Sequence, residues 1–244
     1  MKVASVETPC PGMFQAEAAA LERIAASNTI QVPDTLYADA HCLIQTMFIE
    51  GEKRRTWHEE IGRGLAHMHQ ALQSDEFGLH LTSYLGTTAQ CNARHSEWLT
   101  FWRENRLQPQ IVKLAETFGI DDPLIAALEK LSKRLGCYLA DSSEQAVFVH
   151  GDLWAGNAAA DQHGAPIIFD PASYYASREF EFGIMRLFGG FGPRTEAAYQ
   201  EIWPFEDGSD ERIEVYRLHH LTNHLIMFGR PYYEEALGAV KALL

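Results

Sequence analysis

An aspartate, an asparagine and a second aspartate stand in a stretch whose residue types suit phosphate chemistry. Residues 147–157 read VFVHGDLWAGN and residues 167–170 read IIFD, which places Asp152, Asn157 and Asp170 after apolar, strand-like runs. Phosphoryl transfer from a magnesium nucleotide needs such hard oxygen donors. One carboxylate orients and deprotonates an attacking hydroxyl, while an amide and a second carboxylate hold the metal on the phosphates. A lone Asp in a turn is usually a cap or turn former. The ordered set of three is what points to a kinase reaction, with Asp152 as base or orienter and Asn157 and Asp170 as metal ligands. At the ordinary carboxyl pKa near 4, Asp152 acts more by positioning than by proton affinity.

These side chains need elements to hold them. The AVFV run enters the motif, residues 161–164 supply a turn and PIIF leads into Asp170, a pattern that predicts a hairpin returning Asp170 to Asn157. Upstream, Phe14, Ala18, Leu21 and Ala25 recur at helical spacing and predict a helix over 13–26. Residues 41–49 form an apolar run of strand length. Further helices are expected over 57–72, 95–106, from Pro123 onward, and over 178–188, 211–228 and 231–243. A small strand-containing start and a mainly helical bulk imply two unequal lobes, with residues 46–48 as the hinge.

Composition narrows the function classes. The chain has 244 residues, 46% of them hydrophobic and 22% charged, an ordinary globular balance. A net charge of −13 argues against a nucleic-acid or anionic-membrane surface, which needs clustered Lys and Arg. Cys10, Cys42, Cys91 and Cys137 are widely spaced, with no Cys-x-x-Cys pair, so reduced cytoplasmic thiols are expected rather than a disulfide or zinc framework. His220 and His224 have the i, i+4 spacing of a zinc pair, but no third ligand accompanies them, and a packing or pocket role is preferred.

The stretches HGDLWAGN, IIFDPASYY and EFEFGIMRLFGGFG resemble the fructosamine kinase (ketosamine-3-kinase) family. The likeness extends through FWRENRLQPQ at 101–110, the Thr88, Gln90 and Asn92 cluster, and Asn223-His224 with Phe228-Gly229, and so covers nearly the whole chain. It implies an α+β, protein-kinase-like two-lobed fold, with a truncated N-terminal nucleotide-binding lobe at 1–48 and a mainly helical catalytic and substrate-binding lobe at 49–244. It also implies ATP-dependent phosphorylation, with Mg2+, of the third sugar hydroxyl of ketosamines on small molecules or glycated proteins. The unstable product would then release the free amine, a deglycation repair.

By the same resemblance Lys2 faces the phosphates with Glu17 as its ion-pair partner, hinge backbone at Thr46 and Phe48 meets the adenine, and Trp154 walls the substrate; read without it, Lys2 is a solvated terminal residue and Trp154 a core tryptophan. His150 is expected to brace the loop. Pro171 after Asp170, in place of a Phe-Gly pair, predicts a rigid segment without a switch. Arg178, Glu179 and Glu181 read as a solvated face or lobe-bracing ion pairs.

One departure stands out. The family's Gly-rich strands have no counterpart ahead of Lys2, which predicts an exposed sheet edge and no cover over the β- and γ-phosphates. A gene start further upstream is the expected explanation. An aminoglycoside- or choline-type phosphotransferase and a non-catalytic binder are the competing readings.

Overall fold

The computed structural model describes residues 2–3, 10–140 and 145–244. It begins with strand β1 (Lys2–Val3), helix α1 (Met13–Ser27) and strands β2 (Thr35–Ala38) and β3 (Cys42–Gln45). The strands form an antiparallel sheet in the order β1-β3-β2, with Lys2 opposite Leu43. Leu43 is fully buried against Phe14 and Ala18 of α1, in a small core separate from the main one. Burial of that leucine contributes about 1.5–3 kcal/mol. The helix ends where Asn28 takes a left-handed conformation and donates its N–H to Ala25 O. β3 is shorter than the expected 41–49 run. Thr46 turns back to exchange hydrogen bonds with Asp34, and Met47 points into solvent at 93% exposure.

The remainder is mainly helical. Helix α2 (Trp57–Ala71) buries Ile61, Leu65 and Met68 and leads into the short strand β4 (Gln73–Ser74) and the hairpin β5 (Ser83–Leu85)–β6 (Thr88–Gln90). Helix α3 (Trp98–Trp102) runs through a π-helical turn at Arg103–Leu107 into α4 (Gln108–Phe118). The helix expected over 95–106 therefore begins later and runs further. The wider π turn accommodates the proline in the first turn of α4, so the rod continues. Helices α5 (Pro123–Arg134), capped by Asp122 Oδ1 accepting from Leu124 N, and α6 (Gly136–Leu139) follow.

Strands β7 (Ala146–Val149), β8 (Ala158–Ala160), β9 (Pro166–Ile168) and β10 (Tyr174–Ala176) then carry the chemistry-bearing loops. Helices α7 (Phe180–Phe188), α8 (Pro193–Ile202), α9 (Ser209–Phe228) and α10 (Tyr233–Ala242) complete the fold. Pro193 opens α8, a helix not among those expected from the sequence. α8 lies close on α2. A Cβ at Gly62 would stand 2.1 Å from Thr195 O, so the crossing requires glycine there. No helix among the described residues is long and apolar enough to cross a membrane.

Strand pairing differs in part from expectation. β7 does not pair with β9. It is the middle strand of β10-β7-β4, and the hairpin is β8–β9, with Ala158 opposite Ile168. Asp161 closes that hairpin, its Oδ1 accepting from His163 N and Ala165 N at 2.9 Å each.

Candidate active site

The β8–β9 register sets the first pair of donors. Immediately beyond the Ala158–Ile168 pair, Phe169 N donates to Asn157 O at 3.0 Å, so Asn157 and Asp170 leave the hairpin side by side. Asp170 holds a left-handed backbone at φ 61°, which is uncommon for a residue other than glycine. Strain of this kind persists where surrounding structure imposes it, and it concentrates at functional sites.

Asp152 arrives on the loop after β7. Asn157 Nδ2 donates to its backbone O at 2.8 Å and to its Oδ2 at 3.0 Å. The amide nitrogen is thus turned to Asp152, and Oδ1 takes no part in those bonds. Burial pushes the Asp152 carboxyl up to about 7, against the lowering effect of the Asn157 bond and with the charges of Glu181 and Asp170 adding to the rise. This corrects the ordinary value expected from sequence. A carboxyl raised in this way is better matched to act as a base near neutral pH.

The loop itself is clamped from below. The fully buried Glu181 of α7 accepts from His150 N at 2.6 Å and Gly151 N at 3.0 Å. The His150 ring is bonded to Phe169 O at 3.0 Å through Nε2, and Asp152 N donates to its Nδ1 at 3.3 Å. His150 therefore ties the Asp152 loop to the Asp170 segment, the bracing role its position suggested. Arg178, Glu179 and Glu181 are not a solvated face. All three are at most 1% exposed; Arg178 donates to Trp203 O and Pro204 O, and Glu179 pairs with Arg212. Their apolar neighbours in α7 hid this, because a buried charge and an exposed one look alike in sequence.

The third group comes from the small sheet. Lys2 Nζ lies 2.5 Å from Glu17 Oε1 and 2.6 Å from Asp170 Oδ1. Burial alone would lower the Lys2 pKa, but the two carboxylates outweigh it and the net shift is upward. One cavity of about 360 Å3 is lined by Lys2, Glu17, Asp152, Trp154, Asn157 and Asp170. Gly156 allows the Trp154 indole to fold over the loop, since a Cβ there would lie 2.3 Å from the ring.

Thr46 and Phe48 do not line this cavity. The Thr46 N–H is engaged by Asp34 O at 2.9 Å and so is not free for an adenine, while the Phe48 ring stands 5.7 Å from that of Phe169. A larger cavity of about 690 Å3 lies elsewhere, between the end of α1 and α2. It contains none of the expected site residues, and its Arg54 and Arg63 are paired with Glu60 and Glu201, so the smaller cleft is the chemically equipped one.

Among the described residues no group of three or more His, Cys, Asp or Glu is arranged to hold a metal. Asp170 and Asn157, neighbours where the hairpin ends and both on the cleft, offer oxygen donors of the kind that suits Mg2+, which takes few protein ligands and completes its shell with phosphate and water. Residues missed by sequence reasoning include Ser83, Tyr84 and Gly86 of the β5–β6 hairpin, which also line the cleft. The Thr88, Gln90 and Asn92 cluster was the available signal. Asn92 fastens that hairpin by donating to Leu81 O and Ser83 Oγ while accepting from the buried Arg106.

A basic side chain paired to a helix glutamate, a loop aspartate and an Asn–Asp pair thus surround one cleft of an α+β, protein-kinase-like fold, the fold of a class of phosphotransferases. An aminoglycoside phosphotransferase, APH(4)-Ia, solved as a ternary complex with ADP and hygromycin B, shares that fold: TM-score 0.64 and 14% identity over 94% of this chain and 81% of the other. The sequence model of the fructosamine kinase family matches residues 2–244, and the chain belongs to that family of kinases. It is 33% identical to the "Protein-ribulosamine 3-kinase, chloroplastic" of Oryza sativa subsp. japonica, over 94% of this chain and 68% of the relative. It is 34% identical to the "Probable ketoamine kinase" of Synechocystis sp., over 95% and 79%. The solved "putative fructosamine-3-kinase" of Thermobifida fusca superposes with a TM-score of 0.90 at 28% identity, covering 99% of this chain and 83% of that one.

Proposed function

We propose that this kinase transfers the γ-phosphoryl group of ATP to the 3-hydroxyl of a ketosamine, a step that leads to deglycation of the amine. The observation that supports it best is the convergence of Lys2, Asp152, Asn157 and Asp170 on one cleft, in a chain whose relatives bear ribulosamine and ketoamine kinase names. Residues 1–48 would serve the nucleotide and residues 49–244 the acceptor. With the Thr46 N–H engaged, the adenine would meet other backbone groups of the 46–48 hinge.

Lys2, held by Glu17, places a cation where phosphate oxygens must lie. Asp170 and Asn157 would hold Mg2+, which when bound neutralises charge on the phosphates and aligns them. Asp152 orients the acceptor hydroxyl and takes its proton as the oxygen attacks. Its raised pKa matches that task near neutral pH. Trp154 offers an indole face to the acceptor. Transfer here depends on positioning and electrostatics, which is why the loop is clamped by Glu181 and His150.

An ADP-release assay with ribulose-lysine and fructose-lysine as acceptors tests this reading, with hygromycin B and choline in parallel. Turnover of a ketosamine that is abolished in Asp152→Asn is the expected result. Turnover of hygromycin B or choline alone would reject it.

A further inference from the structure

Behind Trp154 the cleft opens into a second cavity of about 430 Å3, which shares Gly86, Asp152 and Trp154 with the first. Its walls are aromatic. Trp154 meets Phe188 at 6.1 Å between ring centroids, Phe188 meets His224 at 4.5 Å, and His224 meets Phe228 at 5.5 Å and Tyr232 at 5.4 Å. Phe228 is 56% exposed and Phe188 36%, so among the described residues large apolar faces stand open here. Among the described residues Asp152 is the sole Asp, Glu, Lys or Arg on the lining, and none of them supplies a Lys or Arg to balance it within the chamber. His224 donates from Nδ1 to His220 O at 2.9 Å. Asn223, 1% exposed, lines the chamber, and its Oδ1 accepts no hydrogen bond among the described residues. A buried acceptor left open beside an apolar chamber points to a donor-bearing ligand.

Resting on the function proposed above, we propose that this chamber receives the substituent on the ketosamine nitrogen and selects for a planar, apolar one while rejecting a carboxylate. Only two carbons separate the carbon bearing the 3-hydroxyl from that nitrogen. With the hydroxyl at Asp152, whatever the amine carries enters the space that begins at Trp154. The protonated amine is drawn to Asp152 and to the surrounding π faces. A ring packs against the exposed faces of Trp154, Phe188 and Phe228 and displaces water from surface that is otherwise wet. A carboxylate in the same place meets Asp152, finds no cation and loses its hydration, so the chamber discriminates by repulsion as well as by fit.

The test compares two synthetic ribulosamines that differ only at the amine, the benzylamine adduct and the glycine adduct. The expected kcat/KM for the benzyl compound exceeds that for the glycine compound by roughly ten- to a hundredfold. Phe188→Ala should bring the ratio toward one, and Phe228→Arg, which adds a cation at the chamber, should bring it to one or invert it. Both rates are read in the same preparation, so the ratio does not depend on what fraction of a variant is folded. Equal kcat/KM values for the two adducts in the parent protein would overturn this inference alone. A ratio unmoved in both variants would do the same. Turnover of neither adduct, with an aminoglycoside accepted, would overturn the function proposed above and this inference with it.

Discussion

Replacing Glu181 with glutamine removes one charge and almost no volume, and so isolates what the clamp under the catalytic loop contributes. The native carboxylate accepts from two adjacent backbone donors, His150 N and Gly151 N, at 2.6 and 3.0 Å, in a site with no solvent exposure. A glutamine can offer its oxygen to one of them. Its NH2 then faces the other, which leaves two buried donors against each other. Hydrogen bonds to a charged group are worth about 1.5–3 kcal/mol, and a stranded buried donor costs about 1–3 kcal/mol. Relief from burying a charge offsets part of this. A net loss of about 2–4 kcal/mol follows, or roughly 4–16 °C in Tm for a chain of this length. The charge of Glu181 also helps to raise the Asp152 pKa, after burial, so the variant's Asp152 should titrate lower than about 7. Calorimetry gives the first quantity, and the pH profile of kcat/KM gives the second. A Tm within a degree of the parent, together with an unmoved acid limb, would refute the clamp.

Asp152 itself gives a pH signature. Its folded pKa is raised to about 7 from 3.8, mainly by burial. The stability it contributes is therefore fully present below about 4 and is lost as pH rises through about 7, while kcat/KM rises over the upper part of that window as the base ionises. Chemical denaturation and initial rates across pH 4–9 should show these opposed trends, and Asp152→Asn should abolish both. Asp170→Ala should eliminate Mg2+-dependent nucleotide binding in titration calorimetry and destabilise the fold slightly through the left-handed backbone at φ 61°. Gly62→Ala should cost about 2 kcal/mol or more, because the added methyl would meet Thr195 O at 2.1 Å and force α2 from α8; thermal melts would register it.

Much of the cleft was legible in sequence because its parts are local. Asp152 to Asn157 is one loop, and the turn at Asp161 is a short-range signal, so the return of Asp170 toward Asn157 could be read, although β8 as the partner strand could not. The Lys2–Glu17 partnership was legible only through the family resemblance, since nothing in the spacing of a strand lysine and a helix glutamate announces a contact. The second chamber escaped notice for a different reason. Phe188, Phe228 and Tyr232 lie on α7, α9 and the turn before α10, and aromatic residues there look like any apolar helix face. The role of β7 was misassigned because a fully buried apolar strand gives no clue to its neighbours. Glu181 shows the same limit for charge: its value depends on two N–H groups thirty positions away in sequence.

The meeting of two chambers at a single carboxylate carries a kinetic consequence for the proposed reaction. Donor and acceptor would occupy adjoining compartments and face each other across Asp152 and the Trp154 ring, so that the phosphoryl group would pass directly from one to the other. Both compartments would have to be filled together, and double-reciprocal plots at several ATP levels should intersect rather than run parallel.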